Sequence, residues 1–547
     1  MSIFSTGLSG LNAAQNALAS TSNNISNVYT DGYNREVTVL GESSTGTGGV
    51  QVNDIQRQFN RYIADQLNDA TSKTSALEAY GTQVEQIDSL LADEAAGLSP
   101  LMQDFFSSME DLASAPSDPA ARQGVLGTAD TLSAQFRSFD GYLQDMQDGI
   151  NGQIEDELTQ INNTTEQLGS INREIALARA KQGEAPNALL NQRDQLVHEL
   201  SERMDLRLNI QDGKSYNISL PNGQPLVMGD RSFKLEAMAS PDDPQRSVIG
   251  YPDSSGNVHA LDEDAITGGT LGGLMSFRTE TLDKAQNQIG QMAVSLAVAV
   301  NAQHAEGIDL DGEAGGDFFT IGAPRAFAAD DNAGTAEIAS VAFDADNIDR
   351  LEATDYTVRV TDAAAPAFEV VRQDTGAVLD AAEVDYAGGE LSFGGVTLSF
   401  DDPAGLADSD SFEVQPVRRA AANLDTAISD LDKIAAAGPG GGSGNNENAL
   451  ALQDLQQESV VGGSASLSEA YASMVSDVGN RTNIVQVNLE AQQGLSEQLE
   501  AVQQSESGVN LDEEAANLIR YQQYYQANAK VIDTATTVLD TVLGLRG

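Results

Sequence analysis

Cysteine and tryptophan are both absent from the 547 residues, and histidine occurs only three times. Without cysteine there is no disulfide framework and no thiolate metal site. Basic residues are scarce. Lys plus Arg number 29 against 82 Asp plus Glu, a net charge of −53. A surface of that sign repels nucleic acid and anionic lipid, which excludes both as partners. The acidity is spread along the chain rather than held in one tail, as suits a salty medium where cations screen self-repulsion. No run approaches the ~20 apolar residues that a membrane span needs. The most apolar segment, Met292 to Val300, is short and broken by Ser295. The N-terminus lacks the basic region of a secretory signal, so these features alone describe a cytoplasmic chain.

What is present is concentrated at the ends. No charged residue occurs before Asp31. Phe4, Leu11, Leu18 and Ile25 fall seven apart, with Gly7, Leu8, Ala14, Thr21 and Val28 on the neighbouring ridge. That spacing predicts a heptad seam on one side of a helix. The remaining positions are Ser, Asn, Gln and Ala, which suits a helix surrounded by neutral neighbours. At the other end Leu511, Leu518, Tyr525, Ile532 and Leu539 repeat the spacing, flanked by Ala515, Ala529 and Leu543. Asn510 is placed to cap this helix, with Glu513 reaching back to it. Each end has one apolar stripe to bury, so the two are expected to pair as a coiled coil.

The stretch from Ser22 to Arg35, Ser-Asn-Asn-Ile-Ser-Asn-Val-Tyr-Thr-Asp-Gly-Tyr-Asn-Arg, resembles the N-terminal motif of flagellar rod, hook and hook-associated proteins. The stretch from Val509 to Gln523 resembles their C-terminal motif. Matching motif positions are Asn23, Asn24, Asn27, Thr30, Gly32, Tyr33, Arg35, Asn510 and Leu511. In the middle, Gln182 to Asp194, Gly269 to Leu274, Val300 to Gly312 and Asp317 to Phe319 resemble the hook-associated members. The shorter rod and hook proteins lack the first of these segments. The resemblance implies a structural part at the hook–filament junction, exported through the flagellum's own channel without a cleaved signal. It also implies an extracellular location, a homo-oligomeric ring, contact with hook protein and with the next hook-associated or filament component, and an export chaperone. The terminal stripes, Phe4, Leu8, Leu11, Leu18, Ile25 and Val28 with Leu511, Leu518, Tyr525, Ile532, Leu539 and Leu543, are then the assembly interface. Another axial component, hook protein or filament protein, is the alternative. Hook protein shares the motifs but has a mostly β body, and flagellin has different terminal motifs.

The class expected is mainly α with β insertions: paired terminal coiled-coil helices, a helical-bundle body with a small antiparallel sheet, and an inserted all-β domain. Residues 1–59 form the N-terminal assembly segment, with Gly46 to Gly49 as a flexible connection. Residues 60–324 form the body. Leu77, Tyr80, Val84, Ile87 and Leu91 lie on one helix face, and Gly97 and Pro100 stop it. Asp118 and Pro119 start a long helix with Ile154, Ile161, Leu168 and Ile175 seven apart. Residues 206–261 alternate in period two around turns at Asp212-Gly213, Asn222-Gly223 and Ser255-Gly256, and read as one small sheet. Residues 325–417 carry 20 acidic residues and 4 basic ones and read as the β insert. There Gly394-Gly395 should pair Phe393 with Val396 and Leu391 with Leu398. Residues 418–504 return to the body, with helix from Arg418 to Ala437 and an inner face of Met474, Val478, Val485, Leu495 and Leu499. Residues 505–547 form the C-terminal assembly helix.

A search for chemistry returns little. His198-Glu199 begins like a metalloprotease helix, but Glu202 stands where the second ligand belongs. His304 reads as a helix C-terminal hydrogen-bonding residue. Asp309-Leu-Asp-Gly312 fails the EF-hand spacing and reads as a turn. No nucleophile elbow, phosphate loop or dinucleotide fingerprint occurs. The reading is a structural protein with no catalytic residue, no metal and no cofactor, rather than an enzyme displayed on the flagellum. Because the −53 charge is spread over the surface, the melting temperature should rise from low to moderate NaCl as repulsion is screened. A flat or falling profile counts against this.

Overall fold

The computed structural model describes residues 3–42, 49–92, 97–211, 215–253, 255–345 and 347–545. The expected connection at Gly46 to Gly48 and the turn at Asp212-Gly213 lie outside the described residues. The helices are α1 (Ile3–Ser26), α2 (Arg61–Leu91), α3 (Leu98–Ser114), α4 (Pro119–Gln182), α5 (Asn187–Arg203), α6 (Gly269–Phe277), α7 (Asp283–Ala305), α8 (Glu447–Asp454), α9 (Leu467–Ser507) and α10 (Leu511–Gly544). A hairpin of Glu36–Glu42 with Val50–Arg57 separates α1 from α2.

The body is built on α4, whose 64 residues span about 96 Å at 1.5 Å per residue. Asp118 accepts the Ala120 N–H and Pro119 occupies the first turn, where a missing N–H costs nothing. Ile154, Ile161, Leu168 and Ile175 are all buried in one core shared with α2, α3, α5, α6, α7 and α9. Helices α2 and α9 run antiparallel. The Tyr471 hydroxyl donates to the Leu91 carbonyl (3.1 Å) at one end, and Asn60 Nδ2 donates to Glu506 Oε2 (2.6 Å) at the other. Met474, Val478 and Val485 face that core. Leu495 does not: it is exposed, and Leu499 is half-buried. Pro100 does not end a helix either; it lies in the first turn of α3.

Residues 207–260 form two small sheets rather than the single one expected. The break falls at Leu235. Asn162 of α4 accepts its N–H (2.9 Å) and donates to its carbonyl (2.7 Å), so both ladder groups of that residue are already satisfied.

The insert is two four-stranded antiparallel sheets. One orders Arg325–Ala328, Ser411–Gln415, Tyr356–Asp362 and Ala367–Arg372; the other orders Ile338–Phe343, Val396–Phe400, Glu390–Phe393 and Asp385–Ala387. Gly394 and Gly395 both adopt positive φ, 51° and 78°, and the hairpin pairs Phe393 with Val396 and Leu391 with Leu398. All four side chains point into a second core, which also takes Val294 from α7.

Residues 418–437 are not helical. They form a strap of short 3-10 turns at Ala420–Asn423 and Leu431–Lys433, with Asp425–Thr426 pairing Phe319–Thr320. Buried Arg122 of α4 donates to the carbonyls of Leu431 (2.7 Å) and Ile434 (2.9 Å), acceptors that a helix would have used itself.

His304 closes the end of α7 from within the core. Its Nε2 accepts the Ala435 N–H at 2.9 Å, so Nδ1 carries the proton and donates to the Gly316 carbonyl at 2.7 Å. His198 sits at the surface edge, 3.0 Å from Asn68 Oδ1. His304→Leu should orphan two buried backbone groups and cost roughly 1–3 kcal/mol for each. Burial holds the His304 pKa below its ordinary 6.5. Its contribution is therefore complete above pH 6.5 and is lost as pH falls below it. The stability gap between wild type and variant, from denaturant melts, should narrow in that direction.

Candidate assembly site

Helices α1 and α10 pair antiparallel. Gly7 faces Ile532, Gly10 faces Asn528, and Asn24 faces Glu514. The buried positions of α1 are Gly7, Gly10, Ala13, Ala14, Ala17, Ser20, Thr21 and Asn24. This is a heptad seam, but one of small residues. The expected stripe lies beside it: Phe4 and Leu8 are exposed, while Leu11, Leu18, Ile25 and Val28 are half-buried. On α10, Leu518 and Ile532 are half-buried at the seam and Tyr525 is 39% exposed. Leu511, Leu539 and Leu543 are exposed. The reason is the distance between the axes. A β-carbon on Gly10 would collide with the Asn528 side chain, and one on Gly7 would come within 2.9 Å of Ile532 Cγ1. Small residues let the helices approach closely, which directs the large ones outward.

The tight seam is closed at one end by a polar clasp. Asn24 Oδ1 accepts the Glu36 N–H and the Tyr33 hydroxyl, each at 2.9 Å. Its Nδ2 donates to the Glu36 carbonyl (2.9 Å) and to Glu514 Oε2 (3.2 Å). Glu514, 1% exposed, takes Arg35 Nε on its other oxygen at 2.7 Å. Arg35 NH1 reaches Glu513 at 2.7 Å, and the Arg35 N–H donates to the Ser507 carbonyl at 2.8 Å. Asn510 caps α10 by accepting the N–H groups of Asp512 and Glu513, but the Glu513 carboxylate goes to Arg35 instead of reaching back. Burial, with Glu36 and Glu514 nearby, raises the Tyr33 pKa well above that of an ordinary phenol, so its hydroxyl stays a donor.

The other motif residues shape the turn that delivers Arg35. Asn27 Nδ2 donates to the Asn23 carbonyl, and Thr30 Oγ1 donates to Asn27 Oδ1. Gly32 has φ of 71° and lies against Gln195 of α5. Asn34 donates to Asn191 Oδ1 (2.9 Å), which also accepts from Arg57, itself paired with Asp194 at 2.6 Å. The clasp thus ties the terminal pair to the body. The key residue that sequence reasoning passed over is Glu514. Its signal was present: a carboxylate three residues after Leu511 and four before Leu518 lies on the seam.

Asn24 and Tyr33 of the clasp fall within one family model and Glu513 and Glu514 within another, while Arg35 lies one residue past the first. Residues 4–34 match the flagella basal body rod protein model, and residues 503–545 match the basal body rod FlgEFG protein C-terminal model. These ends define an axial component of the flagellum. Residues 84–319 match the helical domain of flagellar hook-associated protein FlgK. Over its whole length the chain is 39% identical to flagellar hook-associated protein 1 of Escherichia coli K12, and 38% identical to that of Salmonella typhimurium, with all of each relative covered. The solved flagellar hook junction protein FlgK of Burkholderia pseudomallei superposes with a TM-score of 0.74 at 27% identity, over 81% of this chain and all of that one. The chain belongs to the flagellar hook-associated protein 1 family, structural components of the bacterial flagellum.

Arg35→Met should leave Glu514 as an unpaired buried carboxylate, at roughly 3–5 kcal/mol. A seam of glycine and alanine returns too little apolar area to offset that. Hydrogen exchange over residues 511–545 should then rise to free-chain rates while α2 and α9 stay protected. Retained protection of α10 would show that the clasp does not hold it.

Proposed function

We propose that this chain joins hook to filament as a ring of identical subunits seated through its paired ends. The observation that carries the reading is the outward stripe on a helix pair with almost no charge on its α1 half. Ile3, Phe4 and Leu8 on α1, and Ile519, Val538, Leu539 and Leu543 on α10, are exposed beside a seam that is already filled. An uncharged helix with large apolar residues facing out is poorly suited to water and well suited to neighbouring copies. Each Leu or Ile covered contributes roughly 1.5–3 kcal/mol, so a few contacts per subunit offset the entropy of ordering. The pair is marginal alone and becomes a protected layer in the ring. On this reading the hook protein lies on one side of the ring and the next hook-associated or filament component on the other. Export proceeds without a cleaved signal and with a chaperone. The role is structural and needs no catalytic site. The helical domain match and the full-length relatives favour the junction over the hook or filament protein itself.

Leu8→Asp and Leu539→Asp place a carboxylate on the outward stripe at positions the monomer leaves exposed. Each variant should be exported, soluble and normal in melting temperature, yet fail to seat on hooks or support filament growth. A deletion strain should make hooks and shed unpolymerised flagellin. Normal assembly of both variants would refute the interface.

A further inference from the structure

The inserted sandwich is seated on the body across a buried field of charge. Arg418, just past the last strand of the insert, donates from Nε and NH2 to Asp355 Oδ2, and its NH1 lies 3.1 Å from Asp283 Oδ1 of α7. Arg246, beside the small sheet, bridges Asp283 (2.8 Å) to Glu263 (3.3 Å). Arg278 takes the other oxygen of Glu263 at 2.7 Å. Asn287 of α7 adds a donor to Asp355 at 3.2 Å. Gln415 Nε2 donates to Asp243 Oδ2 (2.9 Å) and to Glu413 Oε1 (2.7 Å).

Five carboxylates therefore meet three guanidiniums, and the sharing is uneven. Asp283, Asp355 and Glu263 take the arginines. Glu413 and Asp243, both buried, share the neutral amide of Gln415, and Asp243 Oδ1 also accepts the Gln245 N–H at 2.9 Å. Glu413 stands opposite Phe327 on one neighbouring strand and Thr357 on the other. Farther along those strands, Arg325 stands opposite Gln415 and lies in the field of Asp140 on α4, and Arg359 reaches Glu369.

We propose that this joint is a proton-linked latch: with a proton on Glu413 the sandwich seats on the small sheet through Gln415, and loss of that proton sets Glu413 against Asp243 and Asp355 and loosens the seat. Burial, reinforced by those two carboxylates and opposed by Arg418, pushes the Glu413 carboxyl from 4.5 up to about 7. A folded-state value raised above the unfolded one stabilises the closed joint at low pH, and that stabilisation is lost as pH rises through about 7.

Hydrogen exchange by mass spectrometry on the full chain from pH 6 to 8.5, corrected for intrinsic rates, reads the opening. Peptides over residues 411–419 and 240–249 should show the opening constant rising about tenfold, while peptides over residues 150–175 of α4 stay level. Glu413→Gln mimics the protonated carboxyl and should abolish the rise at the joint. Asp243→Asn removes one repelling charge and should move the rise to lower pH. No rise in wild type, an equal rise in Glu413→Gln, or an unmoved profile in Asp243→Asn would each overturn the latch.

Discussion

One buried carboxylate and the arginine that answers it fix where the two ends of the chain meet. A seam of Gly, Ala, Ser and Thr brings α1 and α10 close together, but similar small steps recur along it and would tolerate a slip of one heptad. Glu514 does not tolerate it. Only at the observed register does it meet Asn24 on one oxygen and Arg35 on the other. A polar group placed in a helix seam commonly specifies register at some expense of stability. Here the backbone N–H of the same arginine also donates to the Ser507 carbonyl before α10, so the register of the pair and its attachment to the body are set at one residue, the first by its side chain and the second by its backbone.

The sequence was most readable where local chemistry and burial point the same way. Asp118 with Pro119 marks the start of α4, the heptad from Ile154 to Ile175 marks its core face, and Gly394-Gly395 sets the hairpin register. It was least readable where a distant partner overrides local preference. Residues 418–437 have a helical composition, but Arg122 takes their carbonyls. The alternating residues 206–261 suggest one sheet, but Asn162 interrupts it at Leu235. At the ends the packing differs from the expectation. Reading Phe4, Leu11 and Leu18 as the inward face assumes that a helix buries its largest residues against its own chain. This one turns Gly7, Gly10 and Ala14 inward and presents Phe4 and Leu8 outward.

The two cores divide the molecule by kind of interaction. The body is held by aliphatic and aromatic packing along α4, with Arg122 and Asn162 fixing the segments that lie against it. The sandwich has its own core, yet Val294 of α7 enters it, and a shared set of arginines spans its base. Charge is used sparingly on α1 and densely at this joint, although the chain as a whole is strongly acidic. At the joint each of the five carboxylates meets an arginine or the Gln415 amide.

Asn24 and Glu514 are 490 residues apart in sequence, yet they share one hydrogen bond. A ribosome makes the first long before the second. Until α10 exists, the glycines of α1 face nothing, and a chain interrupted anywhere between the two helices never acquires the surface that they build together. The contact therefore needs both ends of one finished chain: a copy that stops short of α10 lacks half of the surface that the two helices build together.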